Sequence, residues 1–142
     1  IHAASTGHLI LSTIHANSSW QCLERLQSCG IAREIIEDNL LFASAQRLLP
    51  KLCQHCKQVD LEWTELAQKF IDPDLSTFSA AGCQECNQSG ISGRSLIFEF
   101  IGKYRSESGA KKLQQVGSLR EDAITLLKKG EIDAKSMFAF DD

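Results

Sequence analysis

Two short cysteine pairs, "CQHC" at residues 53–56 and "CQEC" at residues 83–86, form the strongest local pattern in this sequence. In each pair two thiolates stand three positions apart, so a tight turn can present both to one metal ion. Two such turns supply four sulfur ligands and complete a tetrahedron. The pattern therefore predicts one zinc ion per chain, held by four cysteines. These are Cys53, Cys56, Cys83 and Cys86.

The spacing between the pairs leaves other interpretations open. Residues 57–82, a stretch of 26 residues, separate them. That stretch is longer than the about 15–20 residues of the common zinc ribbon, and a helical insertion between the turns would account for the excess. The alternatives are a redox dithiol, which needs a thioredoxin-like βαβ context that neither pair has, and cysteines that only pack in a core. Because four cysteine ligands leave no open coordination position, this zinc would be structural.

Three further side chains bear on the metal prediction. Cys22 and Cys29 lie on a predicted helix, where we expect small core residues rather than ligands. His55 is a possible substitute ligand, although its side chain would point away from a turn shared by the cysteines on either side. The prediction of a zinc site therefore depends on the two cysteine pairs.

Composition limits the class of protein. The 142 residues suit one domain, or one domain with a small appendage, and 43% of them are apolar, which is enough for a core. No apolar run approaches the about 20 residues of a transmembrane helix, and no signal-peptide pattern is present. The 15 basic residues are scattered and are outnumbered by 18 acidic ones, giving a net charge of −3. This balance argues against a nucleic-acid partner.

The stretch "TGHLILSTIHAN", residues 6–17, combines an apolar run with polar residues at its end. A continuous apolar run after a glycine is typical of a strand covered on both faces, so we predict a buried strand over residues 8–14. The end of this strand carries small or polar side chains, among them Thr13 and His15, that can reach a ligand.

The following residues are predicted to alternate between helices and extended segments. Ser18 and Gln21 form a capping-box pattern that begins a helix, and a second helix is predicted over residues 32–44. Pro50 indicates an extended edge segment. Asp60 is the expected cap of a short helix.

The last third of the chain is predicted to contain a strand and then helices. Residues 95–101 form a β-rich run. The remainder is predicted to be helical, with a second capping box at Ser118 and Glu121.

Four stretches, taken in order, resemble the C-terminal half of the secretion-superfamily ATPases, which power type II protein secretion and type IV pilus assembly. They are "TGHLILSTIHAN", "AQRLLPKLCQHC", "GCQECNQSGISGR" and "IFEF". The resemblance runs through most of the chain. Within the family, the four-cysteine element points to the secretion and pilus-extension members.

The resemblance implies an α/β fold with three parts. These are a partial RecA-like P-loop ATPase core at residues 1–52, a tetracysteine zinc subdomain at residues 53–95, and a strand with a C-terminal helical region at residues 96–142. It further implies that the parent is a homo-hexamer in the cytoplasm, peripheral at a bacterial inner membrane. Its expected partners are the inner-membrane platform proteins of the secretion or pilus machinery, and nucleic acid is not among them.

The resemblance also implies that residues 6–17 are the His box, which family members use at the nucleotide near the γ-phosphate. We expect His15 to sense that phosphate, because neutral imidazole accepts a hydrogen bond and imidazolium donates one. Thr13 is expected to support it with a hydroxyl group. His8 matches the box as well, and is expected either to take part in nucleotide binding or to be structural.

Two elements of a P-loop ATPase are missing from the sequence. The first is the phosphate-binding motif G-x-x-x-x-G-K-[ST], since Gly102 and Lys103 are followed by Tyr104. The second is the Walker B element, an acidic pair at the end of an apolar strand, since "IIED" at residues 35–38 sits in a helical pattern. In the family both elements lie upstream of the His box. We therefore expect this chain to be a fragment of a parent protein that binds ATP and Mg²⁺, and we expect the fragment alone to be inactive. The alternative is a self-sufficient zinc-binding interaction module without a role in catalysis.

Overall fold

A computed structural model describes residues 1–105 and 111–140 of the chain. The helices, in chain order, are α1 His2–Ser5, α2 Ser19–Ser28, α3 Arg33–Asn39, α4 Leu61–Phe70, α5 Leu119–Lys128 and α6 Ala134–Phe140. The strands are β1 Phe42–Leu52, β2 Lys57–Val59, β3 Phe78–Ala80, β4 Ile91–Arg105 and β5 Lys111–Val116. A mixed α/β architecture is therefore confirmed. Among the described residues, no helix has the length and apolar character needed to cross a bilayer.

The strands form two sheets. Three of them lie in the order β1–β4–β5, and β4 pairs with β5 in antiparallel register, with Phe100 opposite Val116. The other sheet is the antiparallel pair of β2 and β3, with Lys57 opposite Ala80. Pro50 lies in β1, at an edge of the larger sheet, where a residue without an N–H group is tolerated. The prediction of an extended edge segment there is confirmed.

The chain divides into two compact units. The first comprises Ile1–Gln46 and Phe98–Ser118, and the second comprises Arg47–Ile97 and Leu119–Asp142. The domain limits expected from the sequence, at residues 52 and 95, stay a prediction.

The first unit is built on a small apolar core that includes Leu23 of α2, Ile36 of α3 and Ile101 of β4, all buried. Helix α2 begins where the sequence predicts, because the Ser18 hydroxyl accepts a hydrogen bond from the Gln21 N–H at 3.1 Å. The Gln21 side chain in turn accepts from the N–H of Asn17 at 2.9 Å. Two backbone donors at the helix start are thereby satisfied.

The expected buried strand over residues 8–14 is wrong for this structure. These residues are irregular, and the side chains of Leu9 and Leu11 are 77% and 89% exposed. A strand forms only when a neighbouring strand takes up its N–H and C=O groups, and no strand of the described residues pairs with residues 8–14. The apolar pattern indicates strand propensity, which is not sufficient without a partner.

Two helix predictions need correction. Helix α3 ends at Asn39, so residues 42–44 of the predicted helix belong to β1, where Ala43 and Ala45 are buried and their neighbours are exposed. This alternation of period two fits a strand paired with β4. The predicted helical region after residue 101 is wrong over residues 102–105, which belong to β4, and over Lys111–Val116, which is β5. Residues 106–110 of that region lie outside the described part of the chain.

The second unit packs helix α4 beside α6. Trp63 of α4 stacks on Phe138 with ring centroids 5.7 Å apart, and Ala67, Leu127 and Met137 are fully buried. Helix α4 begins as predicted, because the Asp60 carboxylate accepts a hydrogen bond from a helix N–H.

The predicted β-rich run at residues 95–101 is also confirmed, since it lies within β4.

The cap on α4 gives a stability prediction. Asp60→Ala removes the carboxylate that accepts from the Trp63 N–H at 3.2 Å. We expect the free energy of opening of helix α4 to fall by about 1 kcal/mol. Hydrogen exchange of residues 61–70 measures this change. The control Glu65→Ala alters an exposed residue of the same helix and should have a smaller effect. Equal exchange rates in both variants would contradict the assigned cap.

Candidate metal centre

The first cysteine pair lies on a turn that we call the first knuckle, residues 53–57. Cys53 directly follows β1 and is 2% exposed. Its carbonyl accepts a hydrogen bond from the Lys57 N–H at 3.1 Å, which closes the turn around Cys56. The two thiols of this pair therefore face the same side of the chain, as the spacing predicts.

The second pair lies on a second turn, residues 83–90, which we call the second knuckle. Cys83 precedes a short 3₁₀ helix, Gln84–Cys86, and its carbonyl accepts from the Gln88 N–H at 2.8 Å. Asn87 and Gln88 both adopt left-handed backbone conformations, with φ of 50° and 64°. Asparagine tolerates this conformation better than most residues, and it lets the chain reverse within a few residues.

Gly90 joins the two knuckles through both of its backbone polar groups. Its N–H lies 3.2 Å from Cys86 Sγ and donates to it, and its carbonyl accepts from the Cys53 N–H at 2.9 Å. Its φ is +71°, and a Cβ at this position would lie 2.6 Å from the carbonyl oxygen of Ala80. Only glycine fits without displacing the backbone on which both knuckles depend.

The four sulfur atoms converge on one point. All lie within 4.8 Å of one another, and the Sγ–Sγ distances are 3.9 Å for Cys53 and Cys83, 3.9 Å for Cys56 and Cys86, and 3.8 Å for Cys83 and Cys86. A disulfide would bring two sulfurs to about 2.05 Å. Four thiolates around zinc, each about 2.3 Å from the ion, lie about 3.8 Å apart. The site therefore fits a tetrahedral metal ion and contains no disulfide.

The surroundings of the sulfurs give the thiols of Cys56 and Cys86 different pKa values. Burial raises the pKa of the Cys56 thiol to about 12. Burial also acts upward at Cys86, but hydrogen bonds from the N–H groups of Cys83 and Gly90 and from neighbouring thiols together lower its pKa to about 6. Hydrogen bonds to sulfur favour the thiolate, and a bound cation would favour it at all four positions.

The insertion between the knuckles explains the long spacing. Strand β2 follows Cys56 directly, helix α4 comes next, and β3 returns to the second knuckle. Because β2 and β3 are paired, the ends of the insertion lie side by side and bring the cysteine pairs together. The predicted helical insertion is confirmed as α4. The strand pair was not predicted, because three residues per strand are too few to show a period.

His55 and the two remaining cysteines lie outside this cluster. His55 is exposed and Cys22 is half-buried, whereas Cys29 is exposed at the end of α2, so the expectation that Cys29 is a core residue is wrong. Within residues 1–105 and 111–140, the four cysteines of the knuckles are the one group of metal-ligating side chains that converges. The assignment of the cysteine pairs as a joint site is therefore supported by geometry.

A family described as Type II/IV secretion system protein has a model that matches residues 1–136 of this chain. The chain belongs to this family. The resemblance seen in the sequence is thereby confirmed.

Individual proteins that are similar to this chain support its membership of the Type II/IV secretion system family. Type II secretion system protein E of Klebsiella pneumoniae is 33% identical over 139 residues, covering 92% of this chain and 27% of the relative. Type II secretion system ATPase E of Vibrio cholerae is 31% identical, covering 92% and 29%. Type IV pilus assembly ATPase TfpB of Acinetobacter baylyi is 39% identical, covering 71% and 18%. The chain thus spans less than a third of the length of these relatives.

The residues that are expected to form the His box lie in the first unit. His8, Thr13 and His15 are all exposed on the irregular stretch after helix α1. Thr6 Oγ1 lies 3.1 Å from His8 Nδ1. The side chains belong to no converging group of metal-ligating residues in the described ranges, and their expected roles at a nucleotide stay predictions.

Residues just before the first knuckle and at its end hold the turn that follows helix α5. The Leu52 N–H donates to the Glu131 carbonyl at 2.7 Å, and Lys51 Nζ lies 3.2 Å from a Glu131 carboxylate oxygen. At the end of the knuckle, Lys57 Nζ donates to the Gly130 carbonyl at 3.3 Å. We call these three contacts the α5 clamp. They tie the position of helices α5 and α6 to the knuckle.

Close packing reinforces the α5 clamp. Gly130 has a φ of +62°, and a Cβ there would lie 2.9 Å from the ring of Phe78. Lys57 Nζ lies 5.0 Å from the centroid of the same ring, within range of a cation–π contact. Phe78 belongs to β3, so the insertion and the turn after α5 share one small contact region.

We predict that the purified protein carries one zinc ion per chain. Cys83→Ser should lose the ion and loosen residues 53–95 first, because structural zinc contributes folding free energy directly. Metal analysis and hydrogen exchange measure the two effects. The control Cys29→Ser changes an exposed cysteine outside the cluster and should keep the ion. Far less than one equivalent of metal, with the four thiols paired as disulfides, would refute the zinc assignment.

The α5 clamp gives a second prediction. Lys57→Met should leave one zinc ion bound but speed amide exchange in residues 119–139 by about three- to tenfold, because a hydrogen bond and a cation–π contact are lost. Removing the metal with a chelator should speed exchange in the same residues. Lys69→Met, which alters an exposed lysine of α4, is the matched control. Exchange that stays unchanged in residues 119–139 after chelation would show that the helices do not depend on the knuckle.

Proposed function

We propose that this chain is part of the hexameric ATPase that powers type II protein secretion or type IV pilus assembly. The observation that carries the proposal is the family match over residues 1–136, together with relatives whose names identify secretion and pilus-assembly ATPases. The phosphate-binding lysine and the Mg²⁺-organising acid would be supplied by a longer protein that contains this chain.

Within that ATPase, His15 senses the γ-phosphate and Thr13 supports it, with His8 as a further candidate for nucleotide contact. In support, Thr13 and His15 have exposed side chains, so a phosphate can approach them. His15 is the main contributor in this proposal and Thr13 the supporting one, and the charge of the phosphate strengthens a hydrogen bond from either side chain. In phosphoryl transfer the protein contributes mainly positioning and electrostatic stabilisation of the charge on the phosphate, and positioned donors supply both.

The metal in this proposal is structural zinc. Four cysteines fill a tetrahedron and leave no position for a substrate or an activated water molecule. The ion would fix the second unit by holding the two knuckles together and, through the α5 clamp, the turn after helix α5.

The proposed setting is the cytoplasmic face of a bacterial inner membrane, where the hexamer would dock on platform proteins of the secretion or pilus machinery. The relatives are named as a type II secretion system protein and a type IV pilus assembly ATPase, which supports a secretion or pilus machinery. A net charge of −3 argues against a nucleic-acid partner.

The test is made in the full-length protein that contains this chain. His15→Ala should lower turnover by about ten- to a hundredfold, since a hydrogen bond to a charged group contributes roughly 1.5–3 kcal/mol when it forms mainly in the transition state. Nucleotide affinity should change little, and Thr13→Val should have a smaller effect. Turnover, nucleotide affinity and melting temperature are measured on the same preparation. His55→Ala, an exposed histidine of the other unit, is the control.

Two outcomes would contradict this proposal. A normal rate with a lowered melting temperature would mean that His15 only supports the fold. A full-length protein that binds zinc and a partner protein but does not hydrolyse ATP would favour the alternative of an interaction module.

A further inference from the structure

A buried carboxylate, that of Glu99, holds the first residue of helix α2. Glu99 lies in β4 and is 5% exposed. Its Oε1 accepts hydrogen bonds from the Ser19 N–H at 2.7 Å and from the Ser19 hydroxyl at 2.9 Å. Its Oε2 accepts from the Gln115 side chain at 3.3 Å. The carboxylate thus connects the sheet of the first unit to the start of α2.

This contact is a specific tie rather than general packing. A buried carboxylate is unfavourable unless it is well hydrogen-bonded, so its location is restricted to the place where donors converge. The first N–H groups of a helix have no partner within the helix, and the helix dipole favours negative charge at that end. Ser19 is itself 1% exposed, so water does not replace the carboxylate there.

The tie lies immediately after the residues that carry His15. We call residues 8–17 the His segment. Its last residue, Asn17, donates its N–H to Gln21, and Ser18 caps the helix, so the segment ends at a fixed point. The residues before Asn17 are irregular and mostly exposed. The start of the segment is tied to α1, since the His8 N–H donates to the Ala3 carbonyl at 3.2 Å, so the junction with α2 fixes the end of the segment that is nearer to His15.

We infer that Glu99 is a positioning residue for the His segment: acting through Ser19, it fixes where His15 is presented to a nucleotide phosphate. The inference rests on the proposed function of His15. Glu99 is buried and does not itself reach a ligand, so it is not a catalytic residue. Its effect on turnover must therefore pass through His15.

A purely structural Glu99 would behave differently. It would lower the stability of the first unit and reduce turnover by the same factor whether or not His15 is present. A positioning role predicts coupling between the two residues, which a double-mutant cycle measures.

The experiment compares Glu99→Gln, His15→Ala and the double variant in the full-length protein. Glutamine keeps the size of the side chain but loses the charge and offers one acceptor fewer to the donors around it. We expect Glu99→Gln to lower kcat by about tenfold through misplacement of His15, with nucleotide affinity little changed. In the His15→Ala background, Glu99→Gln should cause almost no further loss. Glu24→Gln, which alters an exposed carboxylate of α2, is the control and should retain the normal rate.

A second measurement uses the 142-residue chain and needs no activity. Glu99→Gln, and the milder Ser19→Ala, should speed amide exchange in residues 17–23 and leave the second knuckle, residues 83–90, unchanged. Unaltered exchange in residues 17–23 for both variants would overturn the inference.

The kinetic outcomes separate the inference from the proposed function. If His15→Ala slows turnover but Glu99→Gln has no effect, or the same effect in both backgrounds, the positioning role is refuted and the role of His15 stands. If His15→Ala turns over normally, the proposed role of His15 fails, and the positioning role fails with it.

Discussion

The convergence of four sulfur atoms is the constraint on which the second unit depends. Thiols 3.8–3.9 Å apart in a partly buried site cannot all ionise without a cation between them, because like charges at that distance repel strongly in a medium of low dielectric constant. The backbone is arranged to keep them there: Gly90 donates to one sulfur and accepts from the residue that carries another. The insertion and the turn after α5 are attached to this centre, so a metal ion bound there would affect both.

The first unit depends on a different kind of interaction. Its apolar core of Leu23, Ile36 and Ile101 is small, and a buried carboxylate supplies a directional contact that apolar packing does not. Hydrophobic contacts allow neighbouring elements to slide, whereas a carboxylate with several donors allows one geometry. Such a contact suits a place where a segment with exposed polar side chains must be held at one end.

Features encoded by adjacent residues were predictable from the sequence. The caps at Ser18 and Asp60, the edge position of Pro50 and the two cysteine turns each depend on a few neighbouring residues, and the structure confirms them. Features that depend on residues distant in the sequence were not predictable. The pattern at residues 8–14 indicates a strand but not whether a neighbour pairs with it, and β5 exists because β4 lies beside it. Glu99 gave no local signal either, because its donors are 80 and 16 residues away.

The β2–β3 pair between the knuckles has a consequence for how tightly a metal is held. Cys53 and Cys83 are 30 residues apart, and an ion that joined them in a disordered chain would have to close that loop at an entropic cost that grows with its length. Here the paired strands, together with a buried hydrogen bond from the Thr77 N–H to Thr64, have already closed it. The affinity of this site for an ion would thus depend partly on residues that do not contact it. Substitutions at Thr64 or Thr77 would change how long the ion stays bound, although no ligand is altered.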